Sequence, residues 1–487
     1  MATQGGQPMP GGRLIFLEFN ELCPDLLERW MSQGVLPNFQ RLHSGSEVFT
    51  VQAETDDNGW LEPWIQWYSL HTGIDCFQHG VRHLTDGPRL AGRITDIWQA
   101  LVASGLRVGN MGSMNAAALC SPGSFYVPDP WCTTETPYPT ELGAYHRLVL
   151  QKVQENSNRS DQLTRRDYVE FLKFVSIHGL SNRSVRSIIA QLVAERWDRT
   201  RAWRRATLLD QLQRDVFFHY WKRSRPDFST FFLNSTAHFQ HSFFHLAAPE
   251  RFNLQPGAFQ DTTHREAVMY GFQRMDELIG EFLKLEAYGA RLVFVTALSQ
   301  QPWANAGRAF YRPYDMTALL SSIGLHPNKL MPVMAQQYVA EFTSRAEADA
   351  ARTHMEGIRL GSSALFDFSP ADPGCLFFGI NSRAEVPADA IVSFPSNVRP
   401  AAAFASLCYR TEQSKMTVHH PRSMLWIHTG KRVQHETPLS ILDIFPTLLD
   451  YYGAASPTDS GFARTGQSFL PQTRLNRYGA GRTRLAA

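Results

Sequence analysis

The chain has few cysteines, little net charge and no long apolar run, and each absence argues against a class of protein. Six cysteines are scattered over 487 residues without a CxxC pair, which argues against a zinc ribbon or a dense disulfide framework. The formal net charge of +2 indicates no particular partner. No apolar run reaches membrane-spanning length, and the N-terminus lacks a signal pattern. We therefore expect a cytoplasmic protein with no membrane span and no nucleic-acid partner, and leave its oligomeric state open.

Several widespread catalytic motifs are also missing from the sequence, including a P-loop, a nucleophile elbow and HExxH. Apolar residues, in contrast, are plentiful: 43% of the chain is hydrophobic and 12% is aromatic. This composition supplies a well-buried interior. A chain of this length exceeds one simple core, so we expect a large α/β domain with inserted pieces, or two domains.

Strand and helix patterns alternate along the chain, which predicts a doubly wound sheet. Between these patterns lies an arginine-rich helical stretch, which fits either a solvated basic face or a lid over an anionic substrate. We predict the following organisation: a flexible leader over 1–12, a core formed by 13–139, 226–307 and 416–472, a helical insertion over 140–225, a cap over 308–415 and a loose tail over 473–487.

The stretch 228–245 combines a buried strand pattern with three histidines. His238, His241 and His245 are three and four residues apart, so a helix would place them along one face. In many α/β proteins a strand that leads into such a turn presents ligands at the carboxyl edge of the sheet. Three imidazoles at this spacing could bind a transition metal. The alternative is an aromatic packing helix whose histidines have no function.

Motifs in the same order as in a known family extend over most of the chain outside the two insertions. The segment 440–453, SILDIFPTLLDYYG, carries an aspartate and a Pro-Thr pair before Leu-Leu and a closing glycine. It resembles the late helix of the alkaline phosphatase superfamily, in its type I phosphodiesterase and nucleotide pyrophosphatase-like branch. Further segments resemble that family at 26–42, 68–81, 95–111 and 461–470. The resemblance implies a three-layer α/β sandwich with a mostly parallel central sheet, a helical insertion and a small α+β cap.

The resemblance also implies a site in which two metal ions, usually zinc, lie between aspartates and histidines, with a threonine or serine nucleophile at a helix N-terminus. In this chain most of those positions are substituted. Asn20 stands for the first aspartate, and Glu62 or Pro63 stands for the nucleophile. Two histidine ligands are kept as His241 and His419, whereas the remaining ligand positions fall on Ala237, Leu298 and Ser299.

From these substitutions we predict a divergent enzyme that hydrolyses or transfers a group on a small phosphate-ester-like or other anionic ester without the two-zinc mechanism. The predicted catalytic residues are Glu62, His241 and His419, and the predicted substrate-binding residues are Asn20, Glu18, Trp64 and His238. One alternative is a catalytically silent relative that acts as a binding or accessory protein. The other is a single-metal hydrolase in which His241, His419 and His245 hold one zinc or other divalent ion.

Overall fold

A computed structural model describes residues 12–55, 61–82, 84, 86–132, 134–154, 164–304, 306, 308–332, 336–369, 371–381, 385–395 and 399–475. The first six strands are β1 (Arg13–Phe19), β2 (Ser46–Gln52), β3 (Val108–Met111), β4 (Phe125–Val127), β5 (Phe228–Leu233) and β6 (Ala290–Val295). The later strands are β7 (Ser299–Pro302), β8 (Arg308–Pro313), β9 (Lys329–Pro332), β10 (Gln337–Glu341), β11 (Arg359–Leu360), β12 (Ser363–Ala364), β13 (Phe366–Ser369), β14 (Cys375–Ile380), β15 (Ile391–Ser393), β16 (Ala402–Ala403), β17 (Cys408–Lys415), β18 (Thr417–His420), β19 (Arg422–His428), β20 (Val433–Gln434) and β21 (Leu439–Ser440).

The α-helices of the described residues lie mainly between the strands of the core and in one long helical stretch. They are α1 (Pro24–Ser32), α2 (Pro37–Ser44), α3 (Pro63–Thr72), α4 (Cys76–His79), α5 (Ile97–Ala103), α6 (Gly143–Gln154), α7 (Arg165–Ile177), α8 (Asn182–Trp197), α9 (Ala206–Ser224), α10 (Ser235–Ala247), α11 (Ala267–Leu283), α12 (Met316–Ser321), α13 (Arg345–Glu356), α14 (Phe404–Leu407) and α15 (Ile444–Tyr452).

The central sheet has the strand order β20-β2-β19-β6-β1-β5-β3-β4, and β21 also pairs with β2. Every pairing in it is parallel except those of β19, which runs antiparallel to both β6 and β2. Glu18 of β1 is in register with Phe232 of β5 and with Val295 of β6, so these three strands end at the same edge. The predicted fold class is confirmed: the protein is α/β with a mostly parallel central sheet.

Along each strand, successive apolar side chains lie on opposite faces of this sheet, because side chains alternate along a strand. Ile15, Leu17 and Phe19 of β1 join a core with α1, α2 and α9–α11, whereas Leu14 and Phe16 join a core with α3, α5 and α15. Because both faces of the sheet are buried, the strand sequences are continuous apolar runs instead of alternating apolar and polar residues. The sheet is thus the middle of three layers.

Residues between β7 and β18 build smaller sheets with an apolar cluster of their own. The four-stranded sheet β13-β14-β10-β9 includes the antiparallel pair β10 and β14, and α13 follows β10 directly. β10, α13 and β14 therefore form a small α+β unit. In the described part of the chain no helix is long and apolar enough to cross a membrane.

Candidate metal and acid–base site

Four chain segments meet at the carboxyl edge of the central sheet. β1 ends there and continues into Glu21, while β5 leads through Asn234 into α10, which carries His241. β6 is followed by β7, which pairs antiparallel with β18, and this pairing sets His419 opposite Gln300. The backbone of α10 is tied to the same ribbon, because the amide of Met416 donates to the carbonyl of His241 at 2.7 Å. The edge therefore collects polar side chains that are far apart in sequence.

Glu21 occupies the centre of this edge with an unusual backbone conformation. Its φ is +60°, which a residue with a side chain rarely adopts. The side chain of Gln240 stabilises the turn by donating to the carbonyl of Glu21 at 2.8 Å. Glu21 is buried, and its two carboxylate oxygens accept from Asn20 Nδ2 at 2.6 Å and from Gln300 Nε2 at 2.6 Å. Strained backbone of this kind is concentrated at functional sites.

Two histidines face the same oxygen of Glu21. His241 Nε2 lies 2.8 Å from Oε2 and His419 Nε2 lies 3.2 Å from it. Burial alone would raise the pKa of Glu21, but the imidazoles of His419 and His241 hold it well below its usual range. Burial lowers the pKa of His241 and outweighs the opposite effect of Glu21. We therefore read the pair as an ionised carboxylate facing a neutral imidazole.

The hydrogen-bond chain behind His241 fixes which of its nitrogens carries the proton. Gln300 donates its amide to Glu21, so its carbonyl oxygen accepts the hydroxyl of Thr417 at 2.7 Å. With its only hydrogen used, the Thr417 oxygen can only accept from His241 Nδ1, 3.0 Å away. Nε2 of the neutral ring then points a lone pair at a carboxylate oxygen. Two acceptors 2.8 Å apart require a cation between them, either a proton or a metal ion.

His419 is held from both sides by carboxylates. Its Nδ1 lies 3.4 Å from Glu62 Oε2, and its buried Nε2 lies 3.2 Å from Glu21 Oε2. Burial lowers the pKa of His419, but Glu21 and Glu62 together raise it above its ordinary value. Glu62 itself precedes the first residue of α3, and one third of its side chain is exposed. The edge thus opens to solvent at Glu62.

The donors of Glu21, His241 and His419 fit one divalent ion. All three ligand atoms lie within 4.8 Å of one another. In a tetrahedral zinc site with bonds of 2.0–2.1 Å, neighbouring donors are about 3.3 Å apart, close to the two distances from Glu21. Two imidazoles with one carboxylate form a donor set of catalytic zinc. The hydrogen bond of His241 to Thr417 and the ion pair of His419 with Glu62 are the kinds of outer contact that orient metal-binding histidines.

The structure places Glu62, His241 and His419, the residues predicted to be catalytic, beside one another, whereas the residues predicted to bind substrate have other surroundings. Asn20 is fully buried and bonds to Glu21, to Asn234 at 2.7 Å and to Trp67 at 2.7 Å. Glu18 is also fully buried, in the layer of α3, where it bonds to His71 at 2.9 Å and to Ser113 at 2.7 Å. Neither side chain is open to a substrate, so Asn20 is better described as a positioning residue and Glu18 as part of the interior.

Three further predicted residues lie outside the group that converges on Glu21. Trp64 is a buried core residue of α3 and donates to the carbonyl of Arg82 at 3.0 Å. His238 is exposed on α10, one turn before His241. His245, predicted as a metal ligand, is buried one turn after His241 beside Phe252 and Phe259. Glu21, and not His245, is the third donor of the cluster.

The family resemblance assigned further metal-ligand positions to residues that carry no charge in this chain, and these residues are buried. Ala237, Leu298 and Ser299 are all buried, and within the described ranges the group around Glu21 is the only cluster of three or more metal-binding side chains. Sequence reasoning missed Glu21, Gln300 and Thr417. Glu21 directly follows Asn20, the position assigned to the missing aspartate, so an acidic residue one place further along was the available signal. The Gln300–Thr417 contact depends on the pairing of two short strands and left no sequence signal.

The fold and the site together define an α/β protein with a carboxylate–histidine cluster at the carboxyl edge of its sheet. No family model matches the chain, and no curated protein matches it. Among solved structures it is similar to a phosphonoacetate hydrolase from Sinorhizobium meliloti 1021, with 13% identity, a TM-score of 0.40, and coverage of 92% of this chain and 98% of that one.

Two other similar structures are the alkaline phosphatase PafA and murine ectonucleotide pyrophosphatase/phosphodiesterase 5. PafA has 14% identity and a TM-score of 0.45, and the match covers 95% of this chain and 99% of PafA. The murine protein has 9% identity and a TM-score of 0.41, with 92% and 97% covered.

Proposed function

We propose that the protein is a single-metal hydrolase that acts on a small anionic ester at the carboxyl edge of its sheet. The observation that carries the proposal is the convergence of Glu21, His241 and His419 on one point, with Glu62 beside it. A divalent ion held there would supply a Lewis acid for an ester oxygen. The proposal replaces His245 of the predicted ligand set by Glu21 and keeps the predicted roles of His241 and His419.

Glu62 is assigned the proton-transfer role. Its Oε2 faces His419 Nδ1, which leaves the second oxygen of the carboxylate to accept a proton from an attacking water. The partial exposure of Glu62 allows substrate and water to reach it. The amides of Gln300 and Asn20 hold Glu21 in place, and Thr417 holds the tautomer of His241. The ammonium of Lys415 lies close enough to lower the pKa of both His241 and His419, and would also attract an anionic substrate.

The test is a panel of phosphate monoesters, phosphodiesters, phosphonates, sulfate esters and carboxylate esters, offered to the purified protein with zinc or manganese. Turnover of at least one class is expected. Glu62→Gln should lower kcat by about 10²–10⁴-fold while metal binding is kept, as for loss of a general base. Glu356→Gln, on the exposed side of α13 in the cap, is the matched control and should not change the rate.

A second candidate function is a catalytically silent binding protein, favoured by the complete burial of Ala237 and Leu298 where the family resemblance placed metal ligands. Stoichiometric metal together with flat rates for every ester class, in the wild type and in Glu62→Gln alike, would contradict the hydrolase and support this candidate. Absence of bound metal combined with turnover would contradict the role of Glu21 as a ligand.

A further inference from the structure

Helix α8 buries several polar side chains and exposes several apolar ones, which is the opposite of the usual pattern for a surface helix. Its buried residues are the polar Ser184, Gln191 and Glu195. Their polar groups are satisfied inside, because Gln191 Nε2 donates to Glu195 at 2.8 Å and to the carbonyl of Arg201 at 2.8 Å, and Glu195 pairs with Arg205. Ile188 packs against the main core, but four other large apolar side chains of α8 lie on the outside.

The exposed stripe of α8 consists of Ile189, Leu192, Val193 and Trp197, spaced three, four and eight residues from the first. Between 53% and 56% of each of the three aliphatic residues is exposed, and 86% of Trp197 is exposed. The preceding helix α7 exposes Val169 at 48% and Leu172 at 59%. Isolated exposed apolar residues are normal, but a helical stripe of them indicates a surface that meets an apolar partner. We call these six side chains the outer stripe.

The segment that carries the outer stripe is rich in positive charge. Residues 164–205 contain ten Arg and Lys residues and four Asp and Glu residues. Each of the four acids already has an arginine partner: Arg147 or Arg166 for Asp167 and Glu170, Arg205 for Glu195, and Arg201 for Asp198. Arg165, Arg186 and Arg196 are exposed and have no carboxylate partner within the described parts of the chain. The stripe is therefore framed by uncompensated cations.

We propose that the outer stripe of α7 and α8 docks on the surface of a bilayer that contains anionic lipids. Aliphatic side chains and a tryptophan interleaved with arginines form the composition that lies in the interfacial plane of such a membrane. The arginines are attracted to anionic headgroups at the same depth. A second copy of this chain is a poorer occupant, because a two-fold contact would bring the same unpaired arginines against each other. The proposal does not depend on the hydrolase function.

The test is co-sedimentation of the full-length protein with vesicles of phosphatidylcholine alone or of phosphatidylcholine with phosphatidylglycerol. Binding is expected to the phosphatidylglycerol vesicles and to weaken in high salt, because salt screens exposed charges. Replacement of Val193 and Trp197 by glutamate should lower the partition coefficient about tenfold or more. Ile391→Glu is the matched control, since Ile391 is 51% exposed in the cap, and it should bind like the wild type.

A second pair of substitutions separates charge from apolar contact. Arg186→Ala with Arg196→Ala should weaken binding to phosphatidylglycerol vesicles and reduce its salt dependence, while far-ultraviolet circular dichroism stays unchanged. The proposal is overturned if the protein binds neither vesicle, or if the Val193 and Trp197 variant binds as well as the wild type. Self-association in sedimentation velocity without vesicles, abolished by Trp197→Glu, would assign the stripe to a second copy instead.

Discussion

Two carboxylate–histidine groups lie three residues apart at the end of β1, and they differ in almost every physical respect. Glu18 with His71 is enclosed: the side chains are 0% and 2% exposed, and Ser113 also bonds to the carboxylate. Glu21 with His241 and His419 lies at the edge, where 20% of His241 and 33% of the neighbouring Glu62 are exposed. The same pair of residue types can therefore stabilise an interior or form a reactive site, and access decides which.

The alternation of strand side chains explains the difference. Glu18 still belongs to β1 and points into the layer of α3 and α5, where His71 stacks near Trp67. Glu21 lies beyond the strand, and its left-handed backbone directs it to the ribbon of β7 and β18. We expect variants of the enclosed group to change stability and variants of the edge group to change metal binding.

The largest effect is expected from Glu21→Gln, which removes the anionic donor of the edge group. Stoichiometric zinc binding, measured by calorimetry and by elemental analysis after dialysis, should be lost, because two neutral imidazoles form a poor site alone. The thermal unfolding midpoint without metal should change little. Retained zinc in this variant would mean that the ligands lie elsewhere.

The enclosed group is tested by Glu18→Leu. Removal of one partner of a buried pair is expected to lower the free energy of unfolding by about 3–5 kcal/mol, because His71 is left buried without its acceptor. Urea unfolding followed by circular dichroism measures the loss. Zinc affinity of the folded protein should stay within the error of the wild type. A folded variant that no longer binds zinc would contradict the separation of the two groups.

A smaller effect is expected at the support of His241. Thr417→Val keeps the volume but removes the oxygen that accepts from Nδ1, so the ring loses its fixed tautomer. Loss of such an outer partner typically costs 10–100-fold in metal affinity. Thr417→Ser should restore the affinity by restoring the hydroxyl. If valine and serine variants bind zinc equally well, the hydrogen-bond chain through Gln300 has no role in the site.

The smallest effect concerns Asp96, a carboxylate near His71 on the enclosed side. Burial raises its pKa from 3.8 to about 6, although the amides of Gln99 and Ala117 act in the opposite direction. Between pH 4 and pH 6 the folded protein keeps this proton while the unfolded chain has lost it, so stability should fall as pH rises, by at most roughly 1.4 kcal/mol per pH unit. In Asp96→Asn this contribution should vanish. An unchanged pH dependence of unfolding in the variant would show that Asp96 is ionised in the fold.

Much of the fold could be predicted from local patterns. The apolar run 228–233 is the strand β5, and the stretch from Glu62 to Gly73, opened by Pro63, contains α3. The segment 440–453, which resembles the late helix of the family, forms an α-helix only from Ile444, because Ser440 caps a preceding 3₁₀ turn. Periodicity is sufficient for such elements, whereas a helix start depends on individual hydrogen bonds.

The site was predictable only in part. His241 and His419 follow from spacing and from the family resemblance, and their meeting follows from the shared sheet edge. For Glu21 the sequence offered one signal, an acidic residue directly after Asn20, but its place in the cluster instead of His245 depends on the positive φ of that residue. The burial of Glu18 and Asn20 depends on tertiary packing against α3, which no local pattern encodes.

The most direct test of the account is anomalous diffraction at the zinc edge from crystals of the wild-type protein grown with zinc. We predict one strong peak about 2.0–2.2 Å from Glu21 Oε2, His241 Nε2 and His419 Nε2. Absence of a peak at this edge of the sheet, or a peak held by other side chains, would contradict the account.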